Sequence, residues 1–301
     1  MKNPFAQPKL PLQLTIEAPK ETLDIVELVL EDEVLSITRP IDTHTPQLIL
    51  LIEDAQQKAI ETRIHDIAKQ QAQLAKIHGA MLRDIDWVSK VQKDFPPFMV
   101  GRCYIYGSHA EQPIPANSIP LKIDAAAAFG TGEHDTTAGC LLALQWLKKK
   151  QKHVRHALDM GCGTAILAIA AAKLWRSASV SAYDNDAGAV RTSRENFACN
   201  HLRRMHAYVS DGYKTQRVKR EGKHDVVVAN ILARPLMRMA YAASQSVAPN
   251  GTLILSGLLN HQENMVLSAH RYHGLRLKKR IRRGRWSVLI LEKKSPSPSN
   301  L

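Results

Sequence analysis

Apolar positions in this chain follow two different periods. Near the start, Leu12-Gln13-Leu14-Thr15-Ile16 alternates as a strand, Glu21 to Leu30 carries helical spacing, and Val34 to Thr38 and Leu48 to Ile52 read as two more strands. A long polar helix is predicted over Gln56 to Lys76, followed by a short apolar stretch at Ile85 to Val88. The order β-α-β-β-α-β predicts a ferredoxin-like α+β domain over residues 1–88. It carries no cluster of catalytic residue types, so substrate recognition by docking is the role expected of it. Residues 89–118 contain Pro96, Pro97, Pro113 and Pro115 and read as a linker that includes short strands such as Arg102 to Tyr106.

From Ile119 the pattern becomes α/β. Helices are expected at Thr137 to Lys149, Thr164 to Trp175, Ala187 to Asn200, Pro235 to Val247 and Gln262 to Tyr272. Between them lie buried strands at Ala157 to Met160, Ser181 to Asp184, Met205 to Val209 and His224 to Asn230. A fifth, Gly251 to Gly257, follows a Pro249-Asn250-Gly251 turn. Leu275 to Arg282 with Trp286 to Glu292 would close an antiparallel edge. These strands predict a Rossmann-like seven-stranded sheet over residues 119–293, and the polar tail 294–301 is expected to be disordered.

The chemistry concentrates where these strands end. Asp159-Met160-Gly161-Cys162-Gly163-Thr164-Ala165 reads as a strand end, a glycine turn and a helix start, a context in which helix N–H groups face a ligand. A dinucleotide fingerprint needs a third glycine three places after the second; here that position is Ile166. A pyrophosphate would also be repelled by Asp159, whereas a cationic amine could be held there through water. S-adenosylmethionine carries such an amine and a sulfonium. Asp184 is placed to accept from both ribose hydroxyls, Asp211 to meet the exocyclic amine of adenine, and Asn230 to end the fourth strand in an amide. Any one of these is as often a helix cap as a ligand contact. Four polar ends at one edge of one sheet point to a cofactor site.

Charge adds a second feature. The net charge is +13, and Arg271 to Arg285 holds eight Arg or Lys residues and no acid. Such a patch can bind phosphate backbones or any acidic partner, but a solvated edge hairpin protected against aggregation is the favoured reading; no aromatic interleaving accompanies the charge, so stacking of bases is not indicated and nucleic-acid contact is possible but not predicted. The four cysteines, Cys103, Cys140, Cys162 and Cys199, form neither a metal-ligand pair nor a disulfide framework, which fits a reducing cytoplasm. The apolar run Met160 to Ala172 is 13 residues, short of the roughly 20 that span a bilayer, so no membrane is expected.

Ahead of the first sheet helix stands Ala128-Phe129-Gly130-Thr131-Gly132-Glu133-His134-Asp135-Thr136-Thr137, a glycine-rich loop with Phe129 as a lid and Asp135 or Thr136 as helix cap. Together with Leu158 to Ala172, Tyr183 to Asp186, Val228 to Leu236 and Leu255 to Leu259, it closely resembles the PrmA family, methyltransferases of protein eleven of the large ribosomal subunit. The resemblance implies a class I S-adenosylmethionine-dependent methyltransferase fold with an N-terminal recognition domain. It also implies methylation of lysine side chains and an N-terminal α-amine. By motif, cofactor contacts fall on Thr137, Gly161, Asp184 and Asn230, beside Phe129, Asp159, Gly163 and Asp211 from the strand-end reading; Asn230 is the candidate for orienting the amine. Two positions depart from the family pattern: Ala165 replaces a glycine and Asp135 a proline. Enzymes that methylate planar nitrogens place prolines and an aromatic after this asparagine, whereas Ile231-Leu232-Ala233 follow here, which favours an aliphatic amine over a base or glutamine. A non-catalytic RNA-binding module is the competing class.

Overall fold

In the computed structural model, residues 12–30, 33–34, 36–38, 45–52, 54–71, 73–81, 96–124, 135–151 and 153–294 are described. The chain divides into two units, Met1–Trp87 and Val88–Leu301.

The first unit runs β1 (Leu12–Glu17), α1 (Lys20–Leu30), β2 (Ser36–Thr38), β3 (Gln47–Ile52), α2 (Gln57–Gln70) and β4 (Lys76–Met81). Its sheet has the order β2-β3-β1-β4 with antiparallel neighbours throughout, the ferredoxin-like arrangement expected. Strand β1 is central, so Leu12, Leu14 and Ile16 point together into a core completed by Leu23, Val26 and Leu30 of α1 and Ile60, Ile64 and Ile67 of α2. The helix expected to reach Lys76 ends at Gln70, and Lys76–Met81 is the fourth strand, with Leu14 opposite Gly79. This edge strand has Gly79 and charged or polar neighbours around Ile77, so its alternation is too faint to read. The stretch Ile85 to Val88 lies outside the described residues.

The second unit opens with β5 (Phe98–Val100), β6 (Cys103–Tyr106) and β7 (Ile119–Lys122), a small sheet in that order. Within the stretch read as a linker, β5 and β6 are structural: Val100, Cys103 and Ile105 share a core with Leu121, Leu141 and Leu144. Then come α3 (Asp135–Lys150), β8 (His156–Met160), α4 (Ile166–Leu174), β9 (Ser179–Asp184), α5 (Ala187–Cys199), β10 (His206–Val209), α6 (Gln216–Glu221) and β11 (His224–Asn230). The chain continues through α7 (Ala233–Arg238), α8 (Ala240–Ser246), β12 (Val247–Leu259), α9 (Glu263–Tyr272), β13 (Leu275–Arg283) and β14 (Trp286–Lys293). The seven-stranded sheet has the order β10-β9-β8-β11-β12-β14-β13; β10 to β12 are parallel, and β14 is antiparallel to both neighbours.

Two cores cover the two faces. Val226 and Val228 of β11 enter one and Val227 and Ala229 the other, which is why this strand reads as an unbroken apolar run. Several boundaries differ from the sequence reading. The helix expected over Pro235 to Val247 is two, broken at Met239. The Pro249-Asn250-Gly251 turn lies within β12 as a register shift against β11, with Asn250 at φ 61°. Asp135 opens α3 and Thr136 follows it inside the helix, so neither caps it from outside. Short α6 was not anticipated. Residues 295–301, the greater part of the expected disordered tail, lie outside the described residues.

Strand order reverses between β8 and β11. Their carboxyl ends therefore flank the crevice where open α/β sheets take their ligands.

Candidate active site at the carboxyl edge of the sheet

After β8 the chain turns through Gly161 (φ 74°), Gly163 (φ 52°) and Ala165 (φ 61°) into α4. Gly161 N and Cys162 N both donate to Tyr183 O, at 2.7 and 3.1 Å, which ties the turn to the neighbouring strand. A side chain at Gly161 would stand 2.4 Å from Ile231 Cγ2. Gly161 thus answers two demands, a left-handed backbone and the passage of Ile231 over it. Ala165 is fully buried in the left-handed region, a conformation that costs an alanine about 1–2 kcal/mol. The departure from glycine noted in the sequence is accordingly a strained residue at the helix start.

The acids at the strand ends have different surroundings. Asp159 is buried; Oδ2 accepts from Ala168 N at 2.9 Å, and Oδ1 has no hydrogen-bond partner among the described residues. Burial, with the nearby Asp184 charge adding to it, pushes the Asp159 carboxyl up to about 7 despite the Ala168 hydrogen bond. Asp184 Oδ2 accepts from Gly163 N at 2.9 Å and Oδ1 from Asp186 N at 3.0 Å. Each oxygen keeps a lone pair for a further donor. Asp211 stands apart from these two: it is 76% exposed and meets Lys214 Nζ at 2.5 Å. Phe129 and the loop around it, residues 125–134, lie outside the described residues.

Asn230 and Thr137 are brought together. Asn230 Nδ2 donates to Thr137 Oγ1 at 3.2 Å and approaches Thr136 Oγ1 at 3.5 Å, so the amide at the end of β11 reaches the first turn of α3. That turn is held from the other side, where Ser256 Oγ donates to Thr136 O and Arg283 Nε to Asp135 Oδ1. Ile231 follows Asn230 and is clasped by two glycines. A side chain on Gly257 (φ 83°) would stand 2.4 Å from Ile231 O, as one on Gly161 would collide with the Ile231 side chain.

A set of positioning side chains escaped the sequence reading. Ser193 Oγ donates to Gly163 O at 2.8 Å, and Asn196 Nδ2 to Thr164 O at 2.9 Å. Asn196 Oδ1 accepts from Asp124 N, and Asn200 both accepts from Lys122 N and donates to Lys122 O. Ser193 and Asn196 on α5, with Asn200 directly after its end, bind the glycine turn to β7 and the segment after it. Their signal was present as polar residues recurring at 193, 196 and 200 on the face a helix normally makes apolar.

The donor set suits an adenosyl sulfonium. It offers a buried carboxylate with an unpartnered oxygen, a second acid with free lone pairs, and an amide braced by two threonines. The sheet order and the polar strand ends define a class I S-adenosylmethionine-dependent methyltransferase, whose methyl donor is S-adenosylmethionine.

Comparison with known proteins narrows the class. Residues 15–294 match the model of the ribosomal protein L11 methyltransferase (PrmA) family. The chain is similar to the ribosomal protein L11 methyltransferase of Rhizobium rhizogenes, 35% identical over 291 residues covering 95% of this chain and 98% of that one. It is likewise similar to that of a Caulobacter species, 40% identical over 218 residues, 72% and 75% of the two chains. Among solved structures, the ribosomal protein L11 methylase of Lactobacillus delbrueckii subsp. bulgaricus superposes with a TM-score of 0.59 at 26% identity, covering 67% of this chain and all of that one. This chain belongs to the ribosomal protein L11 methyltransferase family. No helix of the described residues is long and apolar enough to cross a membrane.

Proposed function

We propose that this protein methylates amines of ribosomal protein L11, at lysine side chains and the N-terminal α-amine, in the cytoplasm. The observation that carries the reading is the Asn230 amide, held by Thr137 at the crevice between β8 and β11 and followed by aliphatic Ile231-Leu232 where a planar nitrogen would call for an aromatic platform. The first unit, with no catalytic constellation in its sequence, is assigned the docking of the substrate protein.

S-adenosylmethionine supplies an electrophilic methyl carbon on sulfur, displaced in line by nitrogen. The task of the chain is therefore alignment. Asp184 would hold the ribose hydroxyls through the lone pairs left by Gly163 and Asp186. Asp159 would face the donor's amine through water, and Gly161 and Gly163 would admit it to the turn. Phe129 would cover it, and Asp211 would exchange Lys214 for the adenine amine. Asn230 Nδ2 is engaged by the threonines, which leaves Oδ1 to accept from the substrate amine and aim its lone pair. An amine with a reference pKa of about 10.4 must first shed a proton, and a poorly solvated site favours that loss.

The test is mass spectrometry of purified ribosomal proteins incubated with the protein and tritiated or heavy-methyl donor. Incorporation on L11 lysines and its N-terminus is expected. Label entering RNA, or protein glutamine, would overturn the reading.

A further inference from the structure

The edge strand β13 carries a dense run of cations. Arg271, Arg276, Lys278, Lys279, Arg280, Arg282, Arg283 and Arg285 lie on it or at its two ends. Three carboxylates meet them: Glu263 takes Arg280 and Arg282, Glu292 takes Lys278, and Asp135 takes Arg283. Eight cations against three anions leave a strong positive excess. Lys279 also lies over the Trp146 ring at 5.5 Å, which joins the strand to α3, whose last turn carries Lys148, Lys149 and Lys150. The strip follows nine residues of extended chain, a length of about 30 Å.

Protection of a sheet edge accounts for charges on it. It does not account for the aromatic rings beside this edge. Tyr272 is 87% exposed and Tyr241 62%, and His273 sits between them in edge-to-face contact at 5.1 and 5.4 Å. Large rings held in water next to guanidinium groups form a platform on which bases stack while cations follow the phosphates. Six of the eight cations are arginine, whose planar fork suits phosphate oxygens better than a lysine point charge does. Charge alone would suit an anionic membrane equally. Tyr272 ends α9 and Tyr241 lies on α8, so the rings flank the start of the β13 edge, where bases of a single strand can stack while its phosphates follow the arginines of the strand.

We infer that the β13 edge, with Tyr241 and Tyr272 at its start, is a binding surface for single-stranded RNA. The strip reaches the candidate site at one end, where Arg283 pairs with Asp135 of α3; the inference does not depend on which protein is methylated.

The experiment is fluorescence anisotropy of the full chain with a labelled single-stranded RNA across a salt series, with the same RNA as a duplex and with phosphatidylserine vesicles as parallel arms. Affinity for the single strand should fall steeply with salt. The triple variant Arg276→Gln, Lys279→Gln, Arg285→Gln should flatten the log–log slope by about 2. Tyr272→Ala should weaken single-strand binding by about fivefold or more and leave the duplex little changed. Donor affinity and the unfolding midpoint, measured on the same variants, should stay at wild-type values and report an intact fold. Salt-insensitive RNA affinity, an unchanged slope in the triple variant, or binding of vesicles without RNA would each overturn the inference.

Discussion

Asn230 Nδ2 lies 3.2 Å from Thr137 Oγ1, joining the end of β11 to the start of α3 across 93 residues of sequence. The contact uses the donor half of the amide and leaves its carbonyl oxygen to accept from another donor. Asn230→Ala is expected to lower kcat by about 100-fold or more, the scale seen when an aligned polar group is removed. The affinity for S-adenosylmethionine should change by less than about tenfold. Thr137→Val should also reduce turnover, because the amide loses its brace, and Thr137→Ser should restore it. Tritium incorporation and titration calorimetry measure the two quantities separately; near-normal turnover in Asn230→Ala would reject the role.

Gly257 and Gly274 have nearly the same backbone angle, φ 83° and 82°, in different surroundings. A side chain at Gly274 meets nothing within 4 Å, whereas one at Gly257 meets the Ile231 backbone at 2.4 Å. Gly274→Ala should cost only the left-handed penalty of about 1–2 kcal/mol. Gly257→Ala should cost more and, by displacing Ile231 and so Asn230, should depress methyl transfer as well. Denaturant melts and turnover of the two variants provide the comparison.

The buried Asp159 carboxyl sets a pH dependence. Its folded-state value, about 7, lies above the value in the unfolded chain, so protonation favours the folded state. This contribution is present at low pH and is lost as pH rises from about 4 through about 7. Asp159→Asn keeps an acceptor for Ala168 N and removes the buried charge, so it should raise the thermal midpoint of the ligand-free protein near neutrality. It should also weaken binding of a cationic donor. Because that donor favours the ionised carboxylate, wild-type affinity should rise as pH increases through about 7, and the variant's affinity should not. Calorimetry on either side of neutrality decides the matter: equal pH dependence in both proteins would exclude Asp159 as the cause.

Asn196 is 1% exposed and spends both ends of its amide on backbone, Thr164 O on one side and Asp124 N on the other. Asn196→Leu removes both hydrogen bonds of this buried amide and should cost about 1–3 kcal/mol of stability. Beyond this loss of stability, the variant should show a raised KM for the methyl donor with kcat less affected, since the glycine turn loses its anchor while Asn230 keeps its own. Steady-state kinetics at a temperature where the variant remains folded separates the two effects.

Much of the architecture was legible from local pattern. The strand at His224 to Asn230 was read with its observed limits, since a strand buried on both faces is an uninterrupted apolar run ended by a polar residue. Asp186 caps α5 through Gly188 N and Ala189 N, which explains why that helix began where it was expected. Weakly patterned elements were misread. The second helix was carried to Lys76 and the strand Lys76–Met81 was not read, and the break at Met239 was invisible because both halves share one apolar face.

Periodicity and spacing were enough to place a parallel sheet, its polar strand ends and a glycine turn of the kind that takes an adenosyl cation, because each depends on residues within one turn or one strand of each other. Folding alone settled which distant groups meet: Ile231 between Gly161 and Gly257, Asn230 against Thr137, and Ser193 and Asn196 on the turn. Hydrogen bonds and steric contacts between remote segments arise only when the chain closes upon itself, and nothing in the local order of residues records which partner each group will find.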